Sequence, residues 1–185
     1  MDSNEIEIRR LVSNLQMKAA LITAISILFA GGLLFCIFRR DAVSFMTFTT
    51  CAVVAIAGVS AIRYTVFCRN TVLKGSISYI QSVLFGFRFF FLSGMVITLG
   101  VYLFLRFHPQ FFADLFAQME LQYQYAVENG IKMWLSLDEL QKEKQIVLSL
   151  SAYSVAFNLW FSYLFSGTVA TFVYSPFIAK KGMVS

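Results

Sequence analysis

The feature that most constrains this chain is a run of twenty residues without a charge, Ala19–Phe38, bounded by Lys18 and by Arg39-Arg40. About twenty apolar residues in helical conformation cross the roughly 30 Å hydrocarbon core of a lipid bilayer. Three further apolar runs follow, at about 43–62, 82–105 and 146–173. The sequence therefore predicts four transmembrane helices.

The composition agrees with a protein that is surrounded by lipid. Of the 185 residues, 58% are hydrophobic and only 14% are charged, whereas a soluble domain is about one quarter charged. There are too few charged side chains to cover a water-facing surface. We predict an all-α integral membrane four-helix bundle in which residues 1–185 form a single membrane domain.

The residues before the first span have helical periodicity of their own. Ile8, Leu11, Val12 and Leu15 recur at the spacing of one helix face. This pattern predicts a short amphipathic helix at residues 2–17, lying at the membrane surface. The segment contains three acidic residues and is not followed by a small-residue cleavage site, so it does not read as a signal peptide.

Residues 110–144 form the one sizeable extramembrane stretch. Its first part places six apolar side chains on one helical face: Phe111, Phe112, Leu115, Phe116, Met119 and Tyr123. Gly130 is suited to end that helix, and Ser136 with Glu139 has the spacing of a capping box that starts another. We expect this second helix to continue without a break into the fourth span.

The distribution of lysine and arginine predicts the orientation. With both termini in the cytoplasm, eight basic residues lie on the inner side: Arg9, Arg10, Lys18, Arg63, Arg69, Lys74, Lys180 and Lys181. Six lie on the outer side: Arg39, Arg40, Arg106, Lys132, Lys142 and Lys144. Because basic residues concentrate on the cytoplasmic side, we expect cytoplasmic N and C termini and a 110–144 loop on the outer side.

The fourth span carries a stripe of small polar residues at spacings of three and four. Its members are Ser151, Ser154, Asn158, Ser162 and Ser166. Lipid gives no hydrophobic drive for helix association, so small residues and interhelical hydrogen bonds supply it. We interpret this polar stripe as a helix-packing face, and the alternative is a polar lining to a cavity. Glycine and alanine offer close-approach points on the other spans, at Gly31-Gly32, Ala57, Gly58, Ala61 and Gly94.

Arg88 is the one charged residue inside the third span. An arginine at the centre of a bilayer costs about 2.5–3.5 kcal/mol on insertion scales, and the four spans hold no acid to pair with it. Either the side chain reaches the headgroups, or it binds an anionic group with Gln81 or Asn158 as polar neighbours. Arg63, Arg69 and Lys74 are further candidates for contact with anions or headgroups.

The sequence contains no catalytic constellation. Cys36, Cys51 and Cys68 form no C-x-x-C pair and read as buried, unreactive thiols, and His108 is the only histidine. One histidine does not build a metal site, and neither a nucleophile elbow nor a phosphate-binding loop is present. We expect no enzyme activity, no cofactor and no metal. The net charge of +5 lies at the ends of apolar runs, which indicates contact with lipid rather than with nucleic acid.

The central part of the chain resembles an uncharacterised Bacteroidota-type family of four-span membrane proteins, domain of unknown function 4199. The motif is a basic residue, a glycine, an Ile-Ser-aromatic-x-Gln run and a second glycine, here Arg69, Gly75, Ile77-Ser78-Tyr79-Ile80-Gln81-Ser82 and Gly86. A basic residue and a proline, Arg106 and Pro109, then end the third span. The resemblance implies a protein of a bacterial inner membrane without established activity, encoded near membrane glycosyltransferases.

Together these features favour a non-enzymatic accessory or scaffolding subunit of another integral membrane protein, such as a glycosyltransferase that acts on a lipid-linked sugar. Membrane lipids and either another membrane protein or further copies of the chain are the expected partners. The alternative is a small transporter or oligomeric pore for an anionic solute or lipid, with Arg88 selecting anions.

Overall fold

A computed structural model describes residues 3–38, 41–131 and 136–179. These residues form six helices: α1 (Ser3–Ile37), α2 (Ala42–Thr71), α3 (Tyr79–Phe107), α4 (Phe111–Glu128), α5 (Leu137–Ser149) and α6 (Ala152–Ile178). Four of them, α1, α2, α3 and α6, are long and apolar enough to cross a membrane. The prediction of an all-α four-span membrane bundle is confirmed. Five of the basic residues used for the orientation lie outside the described residues: Arg39, Arg40, Lys132, Lys180 and Lys181.

The predicted surface helix at the N-terminus is not a separate element. It forms the first turns of α1, which runs unbroken from Ser3 to Ile37. No proline or glycine interrupts the junction, and Gln16, Ala19 and Ala20 are all buried against the bundle. The polar segment therefore continues the span as one helix, which corrects the expectation of a separate short helix lying at the membrane surface.

Two span boundaries also differ from the expectation. Helix α2 continues past Arg63 to Thr71, because an exposed charge ends an apolar run without ending a helix. The fourth span begins at Ala152 rather than at 146, since Leu150 is extended (φ −77°, ψ 141°) and separates α5 from α6. Ser151 caps the new helix, with its Oγ accepting from the Ser154 backbone N–H at 3.1 Å.

Helix α3 packs between α1 and α6. Against α6, the rings of Trp160 and Tyr163 lie over Gly94, and the ring of Phe90 lies over Gly167. Two hydrogen bonds join the same helices, each at 3.0 Å. The hydroxyls of Ser82 and Ser175 form a buried one, and those of Ser93 and Tyr163 form a part-buried one. Small residues and side-chain hydrogen bonds thus hold these spans together, as expected in lipid.

The bundle has two distinct ends. Helices α1 and α3 start, and α2 and α6 finish, at one end, which we call the terminal end. At the opposite loop end, Phe35, Phe45, Phe104 and Phe111 form edge-to-face contacts with ring centroids 5.0–5.7 Å apart. Through Phe111, this cluster packs α4 against the bundle, so the predicted apolar face of α4 is confirmed.

The extramembrane stretch follows its sequence signals. Helix α4 ends where Gly130 adopts a positive φ of 69°, a conformation that glycine tolerates without strain. The capping box of Ser136 and Glu139 is present at the start of α5. Helices α4 and α5 are joined by an ion pair in which Lys144 Nζ lies 2.9 Å from Glu120 Oε1.

Candidate functional site

Arg88 lines a lateral groove between α1 and α3. The groove has a volume of about 510 Å³ and is lined by Ser13, Gln16, Met17, Phe87, Arg88, Phe91 and Leu92. Arg88 is exposed and makes neither an ion pair nor a hydrogen bond with any described residue. The groove therefore combines one unpaired cation with apolar walls.

Gln16 is the polar residue that sequence reasoning missed. Its side chain is 4% exposed and makes no hydrogen bond within the described chain. Gln16 lines the groove beside Arg88, so this side chain is placed to bind a group that enters the groove. It was overlooked because residues 2–17 were expected to lie on the surface, away from α3.

The polar neighbours expected for Arg88 are elsewhere. Gln81 closes the capping box at the start of α3, where its Oε1 accepts from the Ser78 backbone N–H at 3.0 Å. Asn158 lies on α6, on the side that faces away from α3. Gln16 and Ser13 take the positions that were expected for Gln81 and Asn158.

The depth of Arg88 follows from helix contacts. Leu28 packs on Gly100, and the ring of Phe35 lies 5.0 Å from that of Phe104, so α1 and α3 run side by side in one direction. At 1.5 Å per residue, Arg88 lies about 30 Å along α3 from His108 at the loop end. We take His108, where α3 ends, as the outer edge of the apolar layer. Because the hydrocarbon core is about 30 Å thick, Arg88 then lies at its opposite boundary.

Two other basic residues lie at the same depth. Measured from the aromatic cluster, Arg88 precedes Phe104 by sixteen residues, Lys18 precedes Phe35 by seventeen and Arg63 follows Phe45 by eighteen. All three therefore lie about 24–27 Å from the cluster. Lys18, Arg63 and Arg88 are all exposed, and we call them the basic belt. Basic side chains at this depth contact headgroups. The belt indicates that Arg88 is a boundary charge rather than a charge at the centre of the bilayer.

Arg69 and Lys74 lie farther toward the terminal end. Arg69 Nη1 donates to the carbonyl of Ile178 at 3.0 Å and so binds the C-terminal end of α6, where a cation is favoured by the helix dipole. Lys74 is exposed in the turn between α2 and α3 and has a positive φ of 50°. Neither residue lines the groove, and their contact with anions stays a prediction.

The polar stripe of α6 does not pack against the other spans. Ser151, Asn158, Ser162 and Ser166 are exposed and Ser154 is half-buried. Helix α6 instead buries the opposite face, which carries Ala156, Gly167, Thr171, Ser175 and Ile178. The prediction of a packing face within the bundle is corrected, because aromatic residues and Gly167 fit α3 more closely than the serines do.

Within the stripe, the hydroxyls of Ser151 and Ser154 bond each other at the start of α6, whereas those of Ser162 and Ser166 lack the usual local partner. Elsewhere in the spans, Ser26, Thr50 and Thr168 each donate to the carbonyl four residues earlier. Ser162 and Ser166 make no such bond, and Asn158 makes no hydrogen bond with a described residue. Trp160 packs on Gly94, so Asn158 lies about 12 Å from the basic belt, near the middle of the apolar layer.

A second cavity, of about 610 Å³, lies at the loop end between α1, α2 and the start of α4. His108 and Asp114 border it, and the His108 ring lies 5.0 Å from that of Phe35. Within the described ranges, no three His, Cys, Asp or Glu side chains are placed to hold a metal ion. Cys36 and Cys51 are exposed and Cys68 is buried, so the expectation of buried thiols holds only for Cys68.

Comparison with known proteins gives no match to a family model, to a curated protein or to a solved structure. The resemblance to the four-span family stays an expectation from the motif at residues 69–86.

Proposed function

We propose that the protein is a non-enzymatic accessory subunit that binds another integral membrane protein through the polar stripe of α6. The observation that carries this proposal is the position of Asn158. Its amide is exposed near the middle of the apolar layer and has no hydrogen-bond partner among the described residues. In hydrocarbon, an amide without a partner is costly, because no water replaces the missing hydrogen bonds.

A helix of a second membrane protein would supply hydrogen-bond partners for Asn158, Ser162 and Ser166. Asn158 offers two N–H donors and one carbonyl acceptor, and Ser162 and Ser166 continue the same exposed line toward the terminal end. The serines are small, so a partner backbone can approach closely. The partner side of this contact is expected to carry Ser, Thr, Asn or Gln. The family resemblance suggests a glycosyltransferase acting on a lipid-linked sugar, in a bacterial inner membrane.

Transport of an anion past Arg88 has less support. Arg88 opens on a lateral groove, while Phe89 and Phe90 fill the interior together with Ala19, Ala20, Ile27, Ala57 and Ala61. No further observation favours a pore, so we keep the accessory role as the proposal.

Affinity capture in a mild detergent tests the proposal. The tagged chain is expected to recover a multi-span membrane protein in stoichiometric amount, and Asn158→Leu is expected to lose it. Thr50→Leu is the matched control, because Thr50 is also polar and exposed but lies on α2 and bonds its own helix. Recovery of further copies of this chain alone, or equal recovery by both variants, would overturn the proposal.

A further inference from the structure

We infer that the groove between α1 and α3 binds an anionic phospholipid, with its phosphate at Arg88, Gln16 and Ser13 and an acyl chain along Met17, Phe91 and Leu92. This site is separate from the polar stripe of α6 and does not depend on the proposed accessory role.

The polar end of the groove has the donors that a phosphate requires. The guanidinium of Arg88 is a planar fork that pairs with phosphate oxygens, and it has no carboxylate partner among the described residues. Gln16 lines the same groove, and its amide makes no hydrogen bond with a described residue, so its two N–H donors are available to a ligand. Ser13 lies one helical turn before Gln16 and lines the same groove, so three donor side chains converge without a competing acid.

The order of side chains along the groove matches the order of groups in a phospholipid. Ser13 lies toward the terminal end, and Gln16 and Arg88 lie beside one another at the belt. Phe91 and Leu92 are three and four residues beyond Arg88 toward the loop end, about 5–6 Å deeper in the apolar layer. A headgroup at the boundary therefore continues into an acyl chain along an apolar wall.

Depth and volume favour a lipid over a free phosphate ion. The groove opens on the side of the bundle at the belt, where lipid headgroups are concentrated. Its volume of about 510 Å³ lies within the range of small-molecule sites and far exceeds the size of one phosphate. A free ion would use the polar end and leave the apolar walls empty.

Native mass spectrometry of the detergent-purified protein, titrated with phosphatidylglycerol or phosphatidylcholine, tests the inference. We expect one phosphatidylglycerol to bind in preference to phosphatidylcholine. Arg88→Gln removes a charge-assisted hydrogen bond and is expected to weaken phosphatidylglycerol binding about tenfold. Because Arg88 is exposed, the variant is expected to keep its fold, and circular dichroism checks its helix content.

Arg63→Gln is the matched control, since Arg63 lies at the same depth on α2 but outside the groove. Retained binding in Arg63→Gln with loss in Arg88→Gln supports the site. Equal loss in both variants would mean diffuse attraction to surface charge and overturns it, as does equal binding of the two lipids. A titration with inorganic phosphate distinguishes a lipid phosphate from a free phosphate ion. Displacement of phosphatidylglycerol at millimolar phosphate would assign the groove to a soluble anion instead.

Discussion

The ring of Phe90 on α3 lies directly over the backbone of Gly167 on α6. A Cβ atom added at Gly167 would overlap this ring, so the two helices approach to a separation that only glycine allows. Tyr163, one turn before Gly167 on α6, also packs on this ring, with ring centroids 5.5 Å apart, and Phe90 is only 3% exposed. The ring therefore has little freedom to move aside.

Gly167→Ala is expected to destabilise the bundle by about 1–3 kcal/mol, because overpacking forces a buried side chain off its preferred rotamer. Unfolding in mixed micelles with a rising fraction of sodium dodecyl sulfate, followed by circular dichroism, measures the change. Gly31→Ala is the control, since nothing lies within 4 Å of a Cβ at Gly31. Equal stability of the two variants would contradict the close approach of α3 and α6.

The hydrogen bond between Ser82 and Ser175 is expected to contribute measurable coupling. Both residues are 0% exposed, and their hydroxyls lie 3.0 Å apart. Interhelical hydrogen bonds in membranes average about 0.6 kcal/mol in double-mutant cycles. The cycle of Ser82→Ala, Ser175→Ala and the double variant is expected to give a value of that order. The cycle of Ser82→Ala with Ser26→Ala, whose exposed hydroxyl bonds its own helix, is expected to give none.

The sequence determined which residues are helical more completely than it determined which helix faces meet. Uncharged runs, the capping box of Ser136 and Glu139, and the apolar face of α4 each act locally, so their consequences could be read from spacing. The packing face of α6 depends on the shape of α3. The serine stripe looked like the interface, yet Trp160, Tyr163 and Gly167 form it, because hydropathy does not encode the fit of a ring over a glycine.

Of the groove residues, the sequence identified Arg88 but not Gln16, again because one signal is local and the other depends on how the helices pack. Arg88 stood out because it is a single charge in an apolar run. Gln16 did not stand out, because its burial depends on α1 remaining straight beyond Lys18 and on its alignment with α3. Likewise, Gly94 was recognised as a close-approach point and is one, whereas Gly31 and Gly58 have nothing within 4 Å of an added Cβ. A glycine in a span allows another helix to approach closely, but whether one does depends on the neighbouring helix.

The start of α5 is expected to lose stability at acid pH. The Ser136 backbone N–H donates to Glu139 Oε2 at 2.9 Å and, with the Ser136 hydroxyl at 2.8 Å, lowers the pKa of Glu139 below its usual value. A carboxyl with a lowered folded-state pKa stabilises the fold above its unfolded pKa of about 4.3, and this contribution is lost as the pH falls through the folded pKa.

Amide hydrogen exchange at Ser136, measured from pH 7 to pH 3 and corrected for the intrinsic rate, checks this prediction. Protection is expected to fall below about pH 4 in the wild type. Glu139→Gln keeps an acceptor for the capping box but does not titrate, so its protection is expected to stay constant across that range. A parallel decline in both proteins would assign the acid sensitivity to another group.

The membrane orientation decides which end of the bundle faces the cytoplasm. We expect both termini in the cytoplasm, because eight basic residues were assigned to the inner side against six on the outer side. The basic belt strengthens this bias, since Arg88 lies at the terminal boundary and adds a further cation to that side. Helices α4 and α5 would then lie outside the cytoplasm, where the cavity beside His108 and Asp114 opens.

Labelling with a membrane-impermeant maleimide measures the orientation. In a background without native cysteines, Gln141→Cys on α5 is expected to react in intact spheroplasts, whereas Thr71→Cys at the end of α2 is expected to react only after permeabilisation. Both positions are exposed and uncharged, so neither substitution alters the balance of basic residues that sets the topology. The reverse labelling pattern would place the basic belt at the outer leaflet, against the bias that lysine and arginine impose during insertion.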